Sequence, residues 1–181
     1  LNFIFFIGHI LYMENALKST DYKSDRINYK NFLKLSINEE HKCVAINVAA
    51  REFKKQKDYT EFYSEVDSIM VKSLRYAKEK FNKTEVTILA DLSGFMIKHV
   101  DYGFFKQAIP YFNERFPDNM EKVILVNIPV FFKACYNVVS IFIHQETKEK
   151  ILFEKSKKYK RKFGNSNFTH NLDEIDESDE E

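Results

Sequence analysis

Tryptophan is absent from the 181 residues, and glycine (4), proline (3) and cysteine (2) are scarce. So little glycine and proline excludes a collagenous or low-complexity chain. It also leaves no phosphate-cradling loop, which needs several glycines between a strand and a helix so that backbone amides can approach the phosphate. Cys43 and Cys135 stand 92 positions apart, a spacing that offers neither a metal pair nor a disulfide framework and suits a reducing compartment. The histidines at 9, 41, 99, 144 and 170 never recur at helical spacing, so no two imidazoles share a helix face as metal ligands do. No metal and no cofactor is expected. No run reaches the roughly 18 apolar residues that a membrane-spanning helix needs.

What the chain does contain is aromatic and aliphatic: 44% of it is apolar, with 18 Phe and 10 Tyr. That is enough for one sizeable core, the default for this length. Lys and Arg number 28 against 27 Asp and Glu, but the balance conceals an asymmetry. From Asn171 onward there are seven acids and no base, which leaves residues 1–170 with a formal charge of +8. The body of the chain is therefore basic and suited to anionic surfaces.

Three segments follow from the pattern. Residues 1–41 read as a lead-in. Its first twelve residues, Leu1 to Tyr12, are almost wholly apolar and admit three readings: a signal-peptide core, an extension upstream of a true start at Met13, or the edge of a fragment. The only packing points expected later in the lead-in are Tyr29, Phe32, Leu33, Leu35 and Ile37. Residues 42–154 read as the domain. Residues 155–181 read as a disordered tail, with six bases in Lys155–Lys162 followed by the acidic end. A basic run beside an acidic tail is a solvated linker, and no nucleic-acid partner is expected.

Within the domain, strands are expected at Lys42–Ala50, Val86–Asp91, Lys122–Ile128 and Glu149–Phe153. Asp58 and Glu61 form a capping box for a helix of about six turns. Along it Phe62, Val66, Ile69, Met70, Leu74, Ala77 and Phe81 recur at helical spacing. Asp101 caps a second helix carrying Phe105, Ile109, Phe112 and Phe116 on one face, and Pro110 predicts a kink or a division into two shorter helices. Val130–Ile143 is the third. Strands alternating with helices predict an α/β domain with a mostly parallel sheet of four to five strands.

Catalytic groups are sparse. Cys135 lies in an apolar helix, where a thiol behaves as a small hydrophobe. Asp91, at the carboxyl end of a strand, is either a ligand-contacting acid or the residue that orders the Ser93-Gly94 turn. The unusual element is Val130–Ile143, eleven of whose fourteen residues are apolar. Lys133, Asn137, Ser140 and His144 are spaced by four, three and four, so its polarity is confined to one stripe. Either the helix is sandwiched in the core, or one side meets an apolar ligand or a membrane.

The run from Thr84 to Phe153 resembles the CRAL-TRIO lipid-binding domain family, that of the phosphatidylinositol and tocopherol transfer proteins. The resemblance rests on an apolar strand ending Asp91-Leu92-Ser93-Gly94 and on the aromatic helix after it. Phe116-Pro117-Asp118-Asn119-Met120-Glu121-Lys122 then leads to Val126-Asn127-Ile128-Pro129, and Phe131-Phe132 opens the long apolar helix. It implies a sheet floor with helices enclosing an apolar pocket, and a gate, Phe131 to Ile143, that swings aside at a bilayer.

Carried across by position, the gate supplies Phe131, Phe132, Tyr136, Val139, Phe142 and Ile143 to the pocket. The strand adds Ile88 and Ala90, and the preceding helix adds Phe105 and Ile109. Polar contacts to the ligand fall at Gln107, Asn137 and Ser140. Two of these depart from the family pattern: Gln107 stands where members binding phosphatidylinositol have an acid, and Ser140 where they have a lysine. Inositol recognition is therefore not expected. The helical module that usually precedes the domain is missing, and the Gly-Gly ending is reduced to Phe163-Gly164, which marks a short, divergent member. The resemblance implies non-catalytic binding and transfer or presentation of a phospholipid or similar small lipid by a cytoplasmic protein that visits membrane surfaces. The alternative is an interaction module with a degenerate pocket and a protein partner.

Overall fold

A computed structural model describes residues 27–154. Two elements lie in the stretch expected to be lead-in. Helix α1, Tyr29–Phe32, is capped by Asn28, whose side chain accepts from the Asn31 amide. Strand β1, Leu33–Asn38, pairs antiparallel with β2, Cys43–Ala49, from Leu33↔Val48 to Asn38↔Cys43. Between them the chain reverses through Lys42 at φ 45°, and Asn38 Oδ1 accepts from the His41 amide at 2.8 Å. The described chain is thus already packed at the buried Ile27, well before residue 42. Leu33, Leu35 and Ile37 alternate with Lys34, Ser36 and Asn38, the period of a half-buried strand.

Helix α2, Thr60–Phe81, has the predicted length but a different start. Asp58 does not cap it. Its carboxylate instead accepts from the Thr60 amide at 2.9 Å and the Thr60 hydroxyl at 2.7 Å, a local turn that places Tyr59 at the helix entrance. The far end stops at Asn82, in the left-handed region at φ 53°, where the Lys83 amide bonds the Ala77 carbonyl at 3.1 Å.

Strand β3, Val86–Asp91, matches its expected bounds. Helix α3, Tyr102–Arg115, runs without a break through Pro110, so neither a division nor two helices results. Pro110 and Lys106 are both exposed, so the carbonyl that loses its donor lies on the solvent side. Asp101 caps α3 as expected, accepting from the Phe104 amide at 3.0 Å.

Strand β4, Met120–Val126, ends two residues earlier than predicted, because Asn127 turns the chain at φ 55°. The third predicted helix is also shorter. It comprises α4, Phe132–Val139, and a 3-10 turn over Ser140–Phe142, where the Ser140 hydroxyl donates to the Asn137 carbonyl. Gln145–Glu149, expected as loop and strand start, forms α5, and β5 follows at Ile151–Glu154.

The five strands stand in the order β1-β2-β3-β4-β5, antiparallel only at β1-β2. Each crossover steps the same way across the sheet. With right-handed connections, α2, α3 and α4 therefore gather on one face. The sheet presents Val44, Ile46, Val48, Ile88, Ala90, Val123 and Leu125 to them. The fold is α/β, with a mostly parallel five-stranded sheet flanked by helices. The basic and acidic tail, Leu1–Tyr12 and Met13 all lie outside the described residues.

Candidate functional site

Between sheet and helices lies a cavity of about 380 Å³, within the roughly 300–1,000 Å³ typical of small-molecule sites. Its floor is made by β2, β3 and β4, through Ile46, Val48, Ile88, Ala90 and Leu125. Helix α2 supplies Phe62, Val66, Ile69 and Met70. From α3 come Phe105, Ala108, Ile109 and Phe112, and from the gate segment Phe132, Cys135, Tyr136, Val139 and Ile143. Among the described residues no charged side chain lines it. Such a wall accepts hydrocarbon at no desolvation cost and rejects an unpaired ion.

One end is closed by an aromatic cluster. Phe104 lies 4.6 Å from Tyr59, 4.9 Å from Phe62 and 5.0 Å from Phe53, centroid to centroid, and Phe32 packs against the last two. These separations favour tilted and edge-on pairs. Tyr59 is polar at its tip only, and its hydroxyl donates to Asp101 Oδ2 at 2.9 Å. The capping residue of α3 thus also holds the entrance of α2.

The periodicity of Val130–Ile143 resolves on this geometry. Phe132, Cys135, Tyr136 and Val139 recur at three, four and seven and face the cavity, whereas Lys133 and Asn137 are exposed. The stripe of polarity faces away from the ligand space. Of the residues assigned from sequence, Phe132, Tyr136, Val139, Ile143, Ile88, Ala90, Phe105 and Ile109 line one cavity. Phe131 does not. It precedes the helix and stacks on Phe95 at 6.2 Å, within the cluster around Leu92 and Val100. Phe142 is also outside the lining, whereas Ile143, in extended backbone just after the 3-10 turn, lies within it.

The three polar positions fall outside as well. Gln107 lies on the outer side of α3, where its Nε2 donates to the Gly103 carbonyl at 3.3 Å beside a shallow recess containing Asp58 and Tyr59. Asn137 is exposed, and Ser140 spends its hydroxyl on the helix. Conversely, α2 and the residues before 42 contribute walls that the sequence reading assigned to core or lead-in. Apolar periodicity marks a face as covered, and a cavity wall and a packed core carry the same signal.

At the carboxyl ends of the strands, Asp91 Oδ1 accepts from the Ser93 amide at 2.9 Å and from Asn127 Nδ2 at 2.7 Å. Burial opposes its charge, but these bonds and the nearby Arg51 outweigh it and hold the carboxyl below its usual range. Through these bonds it orders the turn that leads to Gly94 at φ 70°. Burial pushes the Cys43 thiol up, and a protonated thiol is no nucleophile. Among the described residues no group of three His, Cys, Asp or Glu side chains is arranged to hold a metal, and no helix is long and apolar enough to cross a membrane.

A mostly parallel sheet with its helices on one face, and an uncharged cavity between the two, define an α/β protein built around an apolar ligand space. The chain belongs to the CRAL/TRIO domain family, whose model matches residues 28–173. The crystal structure of Sfh5 is similar at 18% sequence identity with a TM-score of 0.54, covering 81% of this chain and 54% of that one. At that identity the likeness is one of fold, and the chain spans about half the length of that structure. The family is one of lipid-binding proteins that are generally non-catalytic.

Proposed function

We propose that the protein binds one hydrophobic ligand, a phospholipid or similar small lipid, in the cavity beneath α4, and transfers or presents it at membrane surfaces without making or breaking a bond. The observation that carries this reading is the cavity wall, which runs from sheet to gate and among the described residues contains no charge. The segment from Phe131 to Ile143 serves as the gate: its helix of eight residues and 3-10 turn cover the cavity beside α2 and α3 with Phe132, Cys135, Tyr136 and Val139. Its exposed side carries Lys133, and Val130 and Ile141 are 99% and 70% exposed, a mixture suited to an anionic bilayer surface.

Native mass spectrometry with lipid extraction tests the reading. Purified protein is expected to carry a lipid, or to take one up from mixed vesicles of phosphatidylcholine, phosphatidylinositol and phosphatidylserine. Uptake of phosphatidylinositol no better than of phosphatidylcholine is expected, given Gln107 and Ser140. Protein that neither carries nor acquires any lipid would overturn the reading and favour the interaction module.

A further inference from the structure

Large apolar side chains at the surface are not spread evenly. Among the described residues three of them, Met96 (47% exposed), Ile97 (43%) and Val130, stand on the two connections that follow β3 and β4. Both connections leave the carboxyl end of the sheet, because β3 and β4 are parallel. Phe95 stacks on Phe131 at 6.2 Å and meets Phe132 edge-on at 6.4 Å, so the two connections are joined by the neighbours of the exposed residues. Single exposed apolar residues are ordinary, but a cluster of them marks a surface that is covered in use.

The connection after β3 is built to hold its apolar pair outward. Phe95 and Val100 are buried and anchor it on either side. Between them Ile97–His99 forms a 3-10 turn, in which the His99 amide donates to the Met96 carbonyl at 2.9 Å and the Val100 amide to the Ile97 carbonyl at 3.0 Å. The Met96 amide donates to His99 Nδ1 at 3.0 Å. Burial, with Lys98 adding to it, holds the His99 pKa below its usual value, so the imidazole stays neutral and able to accept this bond. The turn thus satisfies its own backbone and leaves the Met96 and Ile97 side chains at the surface.

The charge around them has one sign. Residues 92–100 and 127–143 contain Lys98, Lys133 and His99 and no acid. Arg51 joins them from the connection after β2, since a Cβ at Gly94 would lie 3.6 Å from its side chain. The acids nearby are engaged: Glu52 is paired with Arg51 at 3.3 Å, and Asp91 accepts from Ser93 and Asn127.

We propose that residues 95–100 form a bilayer-docking loop, with Met96 and Ile97 entering the interface of an anionic membrane while Lys98, Lys133 and Arg51 meet its headgroups. This deepens the proposed function and rests on its membrane step, not on the cavity, which neither Met96 nor Ile97 lines. A protein partner would also cover an apolar pair, but protein interfaces are poor in lysine, whereas basic residues around an apolar tip match an anionic bilayer. The stack of Phe95 on Phe131 sets the first turn of the gate against the same surface.

The chain has no tryptophan, so Ile97→Trp supplies a single reporter, and Val71→Trp, at an exposed site on α2, supplies the control. With vesicles of phosphatidylserine and phosphatidylcholine, Ile97→Trp emission is expected to shift to the blue and to be quenched by brominated acyl chains, and Val71→Trp emission to do neither. Ile97→Asp should co-sediment about tenfold more weakly than wild type, as loss of one inserted aliphatic side chain implies, with an unchanged melt. Met96→Trp and Met96→Asp serve as a second pair should an Ile97 variant fail to fold. Binding should weaken as salt is raised.

Unshifted Ile97→Trp emission from protein that has co-sedimented overturns the assignment while leaving the membrane step of the proposed function in place. Equal shifts in Ile97→Trp and Val71→Trp also overturn it, since the protein then adsorbs by no particular face. Equal binding to vesicles of phosphatidylcholine alone removes the cations from the contact and overturns the anionic bilayer as its occupant. Wild type that binds no vesicle overturns this inference and the membrane step together, whereas the cavity stands or falls separately on uptake of the uncharged fluorophore N-phenyl-1-naphthylamine.

Discussion

Asn127 Nδ2 donates to Asp91 Oδ1 across 2.7 Å, joining the residue that ends β4 in a left-handed turn to the last residue of β3. The gate segment departs from β4 through Asn127, so one carboxylate fixes the point from which it leaves. Asp91→Ala removes the acceptor from both Asn127 and the Ser93 amide. A loss of about 1–2 kcal/mol is expected, a drop of a few degrees in thermal melts.

The same carboxylate gives an acid limb. Its folded pKa lies below the ordinary 3.8, so its stabilisation is complete above that value and fades as pH falls through the lower folded value. Wild-type melting temperature should decline on acidification below about pH 4, and Asp91→Asn, which cannot titrate, should decline less steeply. Parallel slopes from calorimetry at several pH values would remove Asp91 from this account.

Phe104 stands at the centre of the aromatic cluster, in ring contact with Phe53, Tyr59 and Phe62. Truncation to Ala should cost about 3–5 kcal/mol, enough to unfold a marginal domain, whereas Phe104→Leu retains most of the volume and should cost less than half as much. Urea unfolding measures both. Equal midpoints for the two variants would show that volume at this position is not limiting.

Ala90 lies on the floor of the cavity at the middle of the sheet. Ala90→Phe projects a ring into the ligand space, so displacement assays with N-phenyl-1-naphthylamine should show about tenfold weaker binding, while melting is unchanged or raised. Undiminished binding would place the ligand elsewhere.

Outward and inward positions of the gate should respond differently to charge. Ile141→Asp, at an exposed site, should leave melting unchanged and reduce co-sedimentation with phosphatidylserine vesicles about tenfold. Phe131→Asp buries a carboxylate against Phe95 and should unfold the protein. A stable Ile141→Asp protein that still binds vesicles fully would take the gate's outer side off the membrane.

The sequence was most legible where chemistry is local. Val86–Asp91 reads as a strand because its aliphatic run stops at Ser93-Gly94, and Asp101 caps α3 because a carboxylate before an apolar helix meets free amides. Asp58 misled because it offers the same chemistry one residue before the cap position and bonds Thr60 instead. Strand β1 was missed although Leu33, Leu35 and Ile37 alternate, because its partner is supplied by the hairpin and three alternations among polar residues are a weak local signal. Of the site, periodicity supplied the polar stripe of Lys133, Asn137, Ser140 and His144, and the family resemblance supplied the inward residues beside it. The walls from α2 came from neither, since they are visible only when elements distant in sequence face the same space.

Composition and period alone determined that this chain makes an α/β domain with an interior rich in aromatic residues, because those depend on residue type and spacing within one element. Tertiary structure decided which apolar faces close upon each other and which leave a void, and that Phe131 is core while Val139 is wall. The reason is geometric: burial of a face is encoded by its hydrophobicity, but a gap between faces depends on crossover direction, strand register and helix ends, which no single segment contains.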